Sequence, residues 1–377
     1  MPLITRQGKG SKLTIAEMDG NLLYLQSLGI PTNKLNNSTT NPSILSYRIT
    51  ASGNFVDTDT LVVYNYITAN NTSLTSLDLS SLTSIGVGNS ISNNNYLTTL
   101  DLSALTSIGS ENYIADNPLL TTLDLSALTS IGDNNYIYSN SSLTILDLMA
   151  LATIGGSNQI YNNSMTILDL SALTTVSNDN IISGNIPMAT LDLGALTTVD
   201  NDNFIYDNTA LATLDLSALT SVGGNNNIYS NAVITTLDLS ALTTVSGNNL
   251  IYGNTFLTTL DLSSLISVGG TFRISNTAAT SLDLVTLTTV TTAFEVTNNS
   301  SLTALSVNAS GITANSYNLK GNDLDQTSVD NFLVSLVASG ATPTTVDLSG
   351  GTNSTPGAPG LAAIATLQGL GWTITTN

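Results

Sequence analysis

Residues 97–119 read Leu-Thr-Thr-Leu-Asp-Leu-Ser-Ala-Leu-Thr-Ser-Ile-Gly-Ser-Glu-Asn-Tyr-Ile-Ala-Asp-Asn-Pro-Leu. The tripeptide Leu-Asp-Leu in this stretch recurs every 22 or 23 residues, and one further interval leads to Ser306 in Leu305-Ser306-Val307. Its aspartates are Asp78, Asp101, Asp124, Asp147, Asp169, Asp192, Asp215, Asp238, Asp261 and Asp283. Self-similarity at this period is typical of a solenoid of stacked coils. The sequence therefore predicts about eleven repeats in one solenoid, over residues 49–322.

The residue types within one repeat indicate strands. Leu100 and Leu102 alternate with Thr99 and Asp101, as expected of a strand with one buried face. Residues 112–115 form a second extended segment after a glycine-containing turn. Thr, Val, Ile and Tyr favour strand over helix. The prediction is a mainly β, right-handed parallel solenoid with one or two strands per repeat.

Asparagine marks a fixed corner of the predicted coil. It recurs sixteen residues after the aspartate, with Thr277 as the single break. The positions are Asn94, Asn117, Asn140, Asn163, Asn185, Asn208, Asn231, Asn254, Asn299 and Asn322. An amide at every corner can satisfy backbone groups that a tight bend leaves unpaired. We interpret this row as structural.

Leu120-Thr-Thr-Leu-Asp-Leu-Ser-Ala-Leu-Thr-Ser-Ile-Gly132 and its copies resemble leucine-rich repeats, and in particular the 23-residue BspA-like class. The resemblance covers roughly residues 74–322. It departs from the class where an Ala-Phe pair and a corner Cys are replaced by Tyr-Ile and Asn. The resemblance implies a leucine-rich-repeat fold and names no partner.

Composition excludes several kinds of site. The 377 residues contain no Cys and no His, which removes the usual zinc ligands, disulfides and a Ser-His-Asp triad. The formal charge of −19 argues against nucleic-acid binding. A paired-carboxylate hydrolase needs carboxyl groups in distinct environments. The repeated aspartates are equivalent, and Glu111 and Glu295 lie far apart in the repeat array. We expect no enzyme activity, no cofactor and no metal.

The first 48 residues differ from the rest and form a predicted attachment or oligomerisation segment. They hold five of the seven basic residues, and Thr14 to Glu17 form a capping box that starts a helix. An apolar stripe follows at Ile15, Met18, Leu22 and Leu25. This short helix either folds back on the first coil or docks onto a partner or a second copy.

Residues 10–25, Gly-Ser-Lys-Leu-Thr-Ile-Ala-Glu-Met-Asp-Gly-Asn-Leu-Leu-Tyr-Leu, resemble a leader near the N-terminus of bacteriophage tail-fibre and related virion proteins. In that family the N-terminal part attaches to the particle and the distal part meets the host. The resemblance implies the same division of roles in this chain.

Residues 323–377 predict an α/β cap. Helices are expected over Asp325–Val337 and Leu361–Leu370, and strands over Thr344–Leu348 and Trp372–Thr375. Such a segment can cover the open end of a solenoid. Trp372, the single tryptophan, is expected to anchor its core.

Aromatic residues recur on the second strand of the repeat, at positions predicted to face outward. The candidate ligand-binding residues are Tyr138, Tyr161, Tyr206, Tyr229 and Tyr252. Aligned rings can stack on sugars, as on lectin-like surfaces. The alternative is that they stack only on one another across neighbouring strands.

Together with these patterns, the resemblance of residues 10–25 to phage virion proteins implies a non-enzymatic phage virion protein, a tail fibre or appendage subunit whose solenoid binds a host or partner. The expected partners are other tail, baseplate or capsid proteins through the N-terminus, a host surface glycan or protein, and further copies of the chain. We therefore expect the protein to be located in the virion. The alternatives are a capsid-decorating protein or a bacterial cell-surface adhesin. A secretory signal and an anchoring tail would favour the adhesin, and neither is seen in the sequence.

Overall fold

The computed structural model describes the strand backbones at 47–49, 53–56, 62–63 and 66–69, and residues 70, 73–342 and 344–377. The chain divides into two compact units, Met1–Leu151 and Ala152–Asn377. In both units a repeat contributes up to three strands, which we call the LDL strand, the short strand and the asparagine strand in chain order.

Unit 1 contains parallel strands of all three kinds. The LDL series is β2 (Gly53–Val56), β5 (Leu74–Asp78), β8 (Thr99–Asp101), β11 (Thr122–Asp124) and β14 (Ile145–Asp147). The short series is β3 (Val62–Val63), β6 (Ser84–Ile85), β9 (Ser107–Ile108) and β12 (Ser130–Ile131). The asparagine series is β1 (Tyr47–Ile49), β4 (Tyr66–Ala69), β7 (Gly88–Ser92), β10 (Asn112–Ala115) and β13 (Asn135–Tyr138).

Unit 2 continues the same pattern and adds two helices. Its LDL strands are β17 (Ile167–Asp169), β20 (Thr190–Asp192), β23 (Thr213–Asp215), β26 (Thr236–Asp238), β29 (Thr259–Asp261), β32 (Ser281–Leu284) and β35 (Ala304–Val307). Its short strands are β15 (Thr153–Ile154), β18 (Thr175–Val176), β21 (Thr198–Val199), β24 (Ser221–Val222), β27 (Thr244–Val245), β30 (Ser267–Val268) and β33 (Thr289–Val290). The asparagine series is β16 (Asn158–Tyr161), β19 (Asn180–Ser183), β22 (Asn203–Tyr206), β25 (Asn226–Tyr229), β28 (Asn249–Tyr252), β31 (Phe272–Ser275), β34 (Phe294–Thr297) and β36 (Tyr317–Asn318), extended by β37 (Thr345–Asp347) and β38 (Thr373–Thr375). The helices are α1 (Gln326–Ala338) and α2 (Ala358–Gly369).

The short strand is the feature that the sequence prediction lacked, since one or two strands per repeat were expected. Neighbouring short strands pair in parallel and in register, as Ser107 with Ser84. The preceding threonine adds a second link between coils. Thr106 donates to the carbonyl oxygen of Thr83 through its amide at 2.9 Å and through its hydroxyl at 2.8 Å. These bonds keep this segment in a strand. The sequence had suggested only a turn there.

The core of each coil consists of the recurring apolar residues. Leu100, Leu102, Leu105, Ile108 and Ile114 are all buried, and the same holds for their counterparts in other repeats. Burying an aliphatic side chain of this size contributes about 1.5–3 kcal/mol. The predicted fold class is therefore confirmed. The chain is a mainly β parallel solenoid with repeats of about 23 residues and a helical cap.

The predicted corner asparagines form a buried hydrogen-bonded row in both units. Asn208 is fully buried, and its Nδ2 donates to the carbonyl of Ile182 at 2.9 Å. The Asn208 Oδ1 accepts from the amide of Asn185 at 3.1 Å, and the Asn208 amide donates to Asn231 Oδ1. Thr277 keeps part of this pattern, because its amide and hydroxyl both donate to Asn299 Oδ1. The structural interpretation of the row is confirmed.

A second asparagine row was missed from the sequence. It stands at the first position of the asparagine strands, where Nδ2 of each residue donates to Oδ1 of the next. In unit 2 it includes Asn180, Asn203, Asn226 and Asn249, all fully buried. The row ends where Phe272 takes the next place, and the Nδ2 of Asn249 is left without a hydrogen-bond partner. A polar ladder thus gives way to an aromatic core near the cap.

Each asparagine strand from β7 to β34 is followed directly by one residue in the left-handed backbone region. Eight of these residues are not glycine: Asn93, Asp116, Ser139, Asn162, Asp207, Ser230, Asn276 and Asn298. The left-handed region is costly for residues with a Cβ, less so for Asn and Asp, and free of that cost for Gly. The same place is taken by glycine at Gly184, Gly253 and Gly321.

Replacing Ser230 with glycine should therefore raise the free energy of unfolding by roughly 0.5–1 kcal/mol, because relief of strain exceeds the added entropy of the unfolded chain. Ser230 has φ 55°. Chemical denaturation measures the change. Ser230→Ala is the matched control and should give no gain, since alanine keeps the Cβ. Equal gains from both substitutions would show that backbone strain is not the cause.

The cap closes the C-terminal end of unit 2 as predicted. Helix α1 begins after Asp325, whose side chain accepts from the amide of Ser328 at 2.7 Å. Helix α2 begins three residues earlier than expected, because Pro359 lies in its first turn and Gly357 precedes it. The buried Asp330 of α1 accepts from the Gly357 amide at 2.8 Å and so joins the two helices.

The predictions for the N-terminal segment concern residues outside the described part of the chain. These are the helix after Thr14, the stripe of Ile15, Met18, Leu22 and Leu25, and the run 10–25. The domain boundaries after residues 48 and 322 stay predictions.

Candidate binding face

The outward surface of the asparagine strands in unit 2 carries most of the predicted site residues. In the four-residue strand Asn-x-Ile-Tyr, the first and third side chains are buried and the second and fourth are only half-buried. This alternation follows from the pleat of a strand. Parallel in-register pairing then places equivalent positions of successive strands in straight rows.

Two such rows form what we call the tyrosine face. The first row is Ser183, Tyr206, Tyr229, Tyr252 and Ser275. The second row is Ile181, Phe204, Asn227, Leu250 and Arg273. The first row is therefore aromatic at its centre with serine at both ends, and the second row is mainly apolar, with Asn227 in the middle and Arg273 at one end.

The three central tyrosines stack on one another. The ring centroids of Tyr206 and Tyr229 are 4.8 Å apart with planes at 8°, and those of Tyr229 and Tyr252 are 4.7 Å apart with planes at 3°. Such pairs contribute about 0.5–1.5 kcal/mol beyond area burial. The stack covers both faces of the Tyr229 ring. Tyr206 and Tyr252 each stack on Tyr229 with one ring face only. The other face of Tyr206 is towards Ser183 in the row, and that of Tyr252 is towards Ser275.

The environment raises the pKa of the central hydroxyl above its ordinary value. Burial, followed by the neighbouring Tyr252 and Tyr206 and then by Asp207, raises the pKa of Tyr229 to about 12. Tyr229 is therefore a neutral phenol at physiological pH, which can both donate and accept a hydrogen bond.

This shift sets the pH dependence of stability. The folded-state pKa of Tyr229 is raised from 10.0 to about 12, and burial also raises that of Tyr317 to about 12. The folded state then holds protons that the unfolded state loses. We expect full stability from these groups below pH 10 and a falling melting temperature between pH 10 and 12. Tyr229→Phe should flatten part of that fall while leaving the melt at pH 7 little changed. An unaltered alkaline slope would contradict the assignment.

The charged side chains at one end of the face are paired. Arg273 Nε lies 2.5 Å from Glu295 Oε2. Arg273 and Lys320 are the two basic residues of unit 2, against fifteen acidic ones, which gives that unit a formal charge of −13. The tyrosine face therefore belongs to a negatively charged unit. Its own basic residue, Arg273, is already paired with Glu295.

The structure brings three of the five predicted tyrosines together and separates the others. Tyr161 is in register with Ser183, which interrupts the row before Tyr206. Tyr138 belongs to unit 1, where its hydroxyl lies 2.5 Å from that of Tyr113 and the rings meet edge to face. The five residues are thus not one continuous ladder.

Two residues were not predicted from the sequence: Asn227, which belongs to the tyrosine face, and Asp207, which lies next to it. Asn227 has a buried Oδ1 with no hydrogen-bond partner and lies between Phe204 and Leu250 in the second row. Its place between two apolar residues was the available signal. Asp207 is exposed directly after Tyr206, but its nearness to Tyr229 depends on the register between coils.

The aspartates of the LDL strands all make the same hydrogen bond. In each of the ten, Oδ1 accepts from the backbone amide two residues later, at 2.9–3.2 Å. This bond closes the turn that follows the strand. The repeated carboxylates therefore stabilise turns.

Within residues 73–342 and 344–377 and the segments described before residue 73, no group of three or more Asp or Glu side chains could hold a metal ion. Within the same described part of the chain, no helix is long and apolar enough to cross a membrane.

Comparison with known proteins adds little to what the structure shows. No protein-family model and no curated protein matches the chain. A solved structure described as the functional domain of InlJ from Listeria monocytogenes, which includes a cysteine ladder, is similar at 20% identity with a TM-score of 0.26. The match covers 77% of this chain and 63% of that one. At this level of similarity it supports no conclusion about function.

Proposed function

We propose that this protein is a non-enzymatic adhesion protein whose tyrosine face binds a glycan on a partner surface. The observation that carries the proposal is the stack of Tyr206, Tyr229 and Tyr252 beside the half-buried Phe204 and Leu250. The repeated aspartates support a non-catalytic role, since their Oδ1 atoms are engaged in turns.

The chemistry of the face suits sugars. Sugar rings present apolar C–H surfaces that pack on aromatic rings, and hydroxyls that exchange hydrogen bonds with phenols. The free ring faces of Tyr206 and Tyr252 and the ring of Phe204 supply the apolar contact. The neutral Tyr229 hydroxyl supplies a donor and an acceptor.

The experiment is glycan-array and cell-surface binding by the full chain. Replacing Tyr206, Tyr229 and Tyr252 together by serine should weaken binding at least ~30-fold, taking about 0.7 kcal/mol per ring. Serine already occupies this row at positions 183 and 275, so the fold should tolerate the change.

Phe256→Ser is the matched control, because Phe256 is 62% exposed in unit 2 but lies outside the tyrosine face. It should leave binding unchanged. Equal loss from both variants, or no loss from the triple variant, would refute the role of this face.

The setting of the protein is a separate proposal. A bacterial cell-surface adhesin and a virion appendage would both use such a face. The virion setting depends on the run 10–25, which lies outside the described residues. Deleting residues 1–48 should abolish incorporation into particles if that setting is right, and light scattering of the same variant would test whether the segment holds a homo-oligomer. Normal incorporation of the truncated chain would count against the attachment role of residues 1–48, and absence of the full chain from particles would favour the cell-surface setting.

A further inference from the structure

We infer that the ligand of the tyrosine face is a linear glycan bearing free amino groups, recognised through the tyrosine row and the carboxylate of Asp207. This inference rests on the proposed function and narrows it to one chemical class.

The geometry of the rows favours a linear polymer. Three equivalent tyrosines follow one another at 4.7–4.8 Å, and the second row runs beside them in the same register. A surface that repeats along one axis presents the same contacts several times to a ligand that also repeats. A chain of sugar units has that property.

The charge around the face favours a cationic ligand. Unit 2 carries a formal charge of −13, and Arg273, at the end of the second row, is engaged by Glu295. Surfaces of one sign attract ligands of the opposite sign and repel ligands of the same sign. Sulfated or uronic-acid glycans are disfavoured, and amino groups on the sugar gain attraction.

Asp207 is the carboxylate best placed to meet an amino group. It is exposed, it directly follows Tyr206, and its backbone amide donates to the carbonyl of Tyr229 at 3.3 Å. Its charge contributes to the raised pKa of Tyr229, which indicates that the carboxylate is close to that ring. An ammonium group bound over the tyrosine row would therefore find a counter-charge at its edge.

The test compares two ligands that differ in charge and in the acetyl group on the amine: glucosamine oligomers and N-acetylglucosamine oligomers of equal length. Calorimetry with the full chain should show the amino form binding at least about tenfold more tightly at low salt, and the advantage should shrink as salt is added.

The variant Asp207→Asn tests the contribution of the Asp207 carboxylate. Asparagine is well accepted at the left-handed φ of 55°, so folding should be kept. The variant should weaken binding of the amino oligomer about threefold and leave the acetylated oligomer unchanged. The matched control is Asp215→Asn, which removes the same charge from an LDL strand of unit 2 and should change neither.

The outcomes separate the two proposals. Equal affinity for both oligomers, or equal effects of the two Asn variants, overturns the inference while glycan binding stands. Tight binding of a Lys-rich peptide and of neither oligomer overturns it as well. A glycan that binds with no sensitivity to the triple tyrosine variant overturns the proposed function itself.

Discussion

Replacing Asn208 with leucine should lower the free energy of unfolding by about 3 kcal/mol or more, the largest effect expected of a single polar substitution in this solenoid. The Asn208 side chain is fully buried and donates to the Ile182 carbonyl while accepting from the Asn185 amide. Leucine removes both hydrogen bonds and takes from the buried Asn185 amide its Oδ1 partner, and an unsatisfied buried group costs about 1–3 kcal/mol in addition to the lost bonds. Denaturant titration followed by circular dichroism measures the loss.

Asn208→Thr is the control that the chain itself offers, because Thr277 occupies the same row. Threonine retains a hydroxyl and should cost clearly less than leucine. The stability of a repeat array is roughly a sum over coils and their interfaces, so the transition in the leucine variant is also expected to broaden as its damaged coil uncouples. If leucine and threonine are equally tolerated, the corner row does not stabilise the fold.

Replacing Trp372 with alanine should destabilise the cap by about 3–5 kcal/mol, the range for removing a large buried aromatic side chain. Trp372 is 4% exposed, and its ring lies 5.8 Å from that of Tyr317. Tyr317 in turn packs against Phe294 and Phe332 of α1. Removing the indole opens a cavity against the last coils. Limited proteolysis at 344–377, together with thermal unfolding, reads out the effect.

Leu370→Ala serves as the control in the same segment, because Leu370 is 58% exposed. Its loss should change stability by less than about 0.5 kcal/mol, as is usual for surface positions. Comparable destabilisation by both substitutions would mean that the segment responds to any change and that Trp372 has no special anchoring role.

The cap elements show how far local patterns reach. Asp325 before an apolar i, i+3, i+4 pattern predicted α1 to within one residue of its observed start, because capping and amphipathicity are local properties. The start of α2 was predicted three residues late. Its true beginning is fixed by Pro359 in the first turn and by Asp330 of the other helix, which accepts from the Gly357 amide. That second contact is tertiary.

The sequence by itself determined the period of the coil, its buried leucines and the corner asparagines, since each is a residue type repeated at a constant spacing. Only the tertiary structure decided what equivalent residues do once coils are stacked. It joined Asn180 to Asn249 in a second ladder that ends at Phe272, turned the segment after Leu105 into a third strand, and stacked three tyrosines while leaving Tyr161 apart. The reason is physical: parallel register brings together residues about 23 positions apart, and whether they then pair, stack or stay unpaired depends on the side chains of the neighbouring coils.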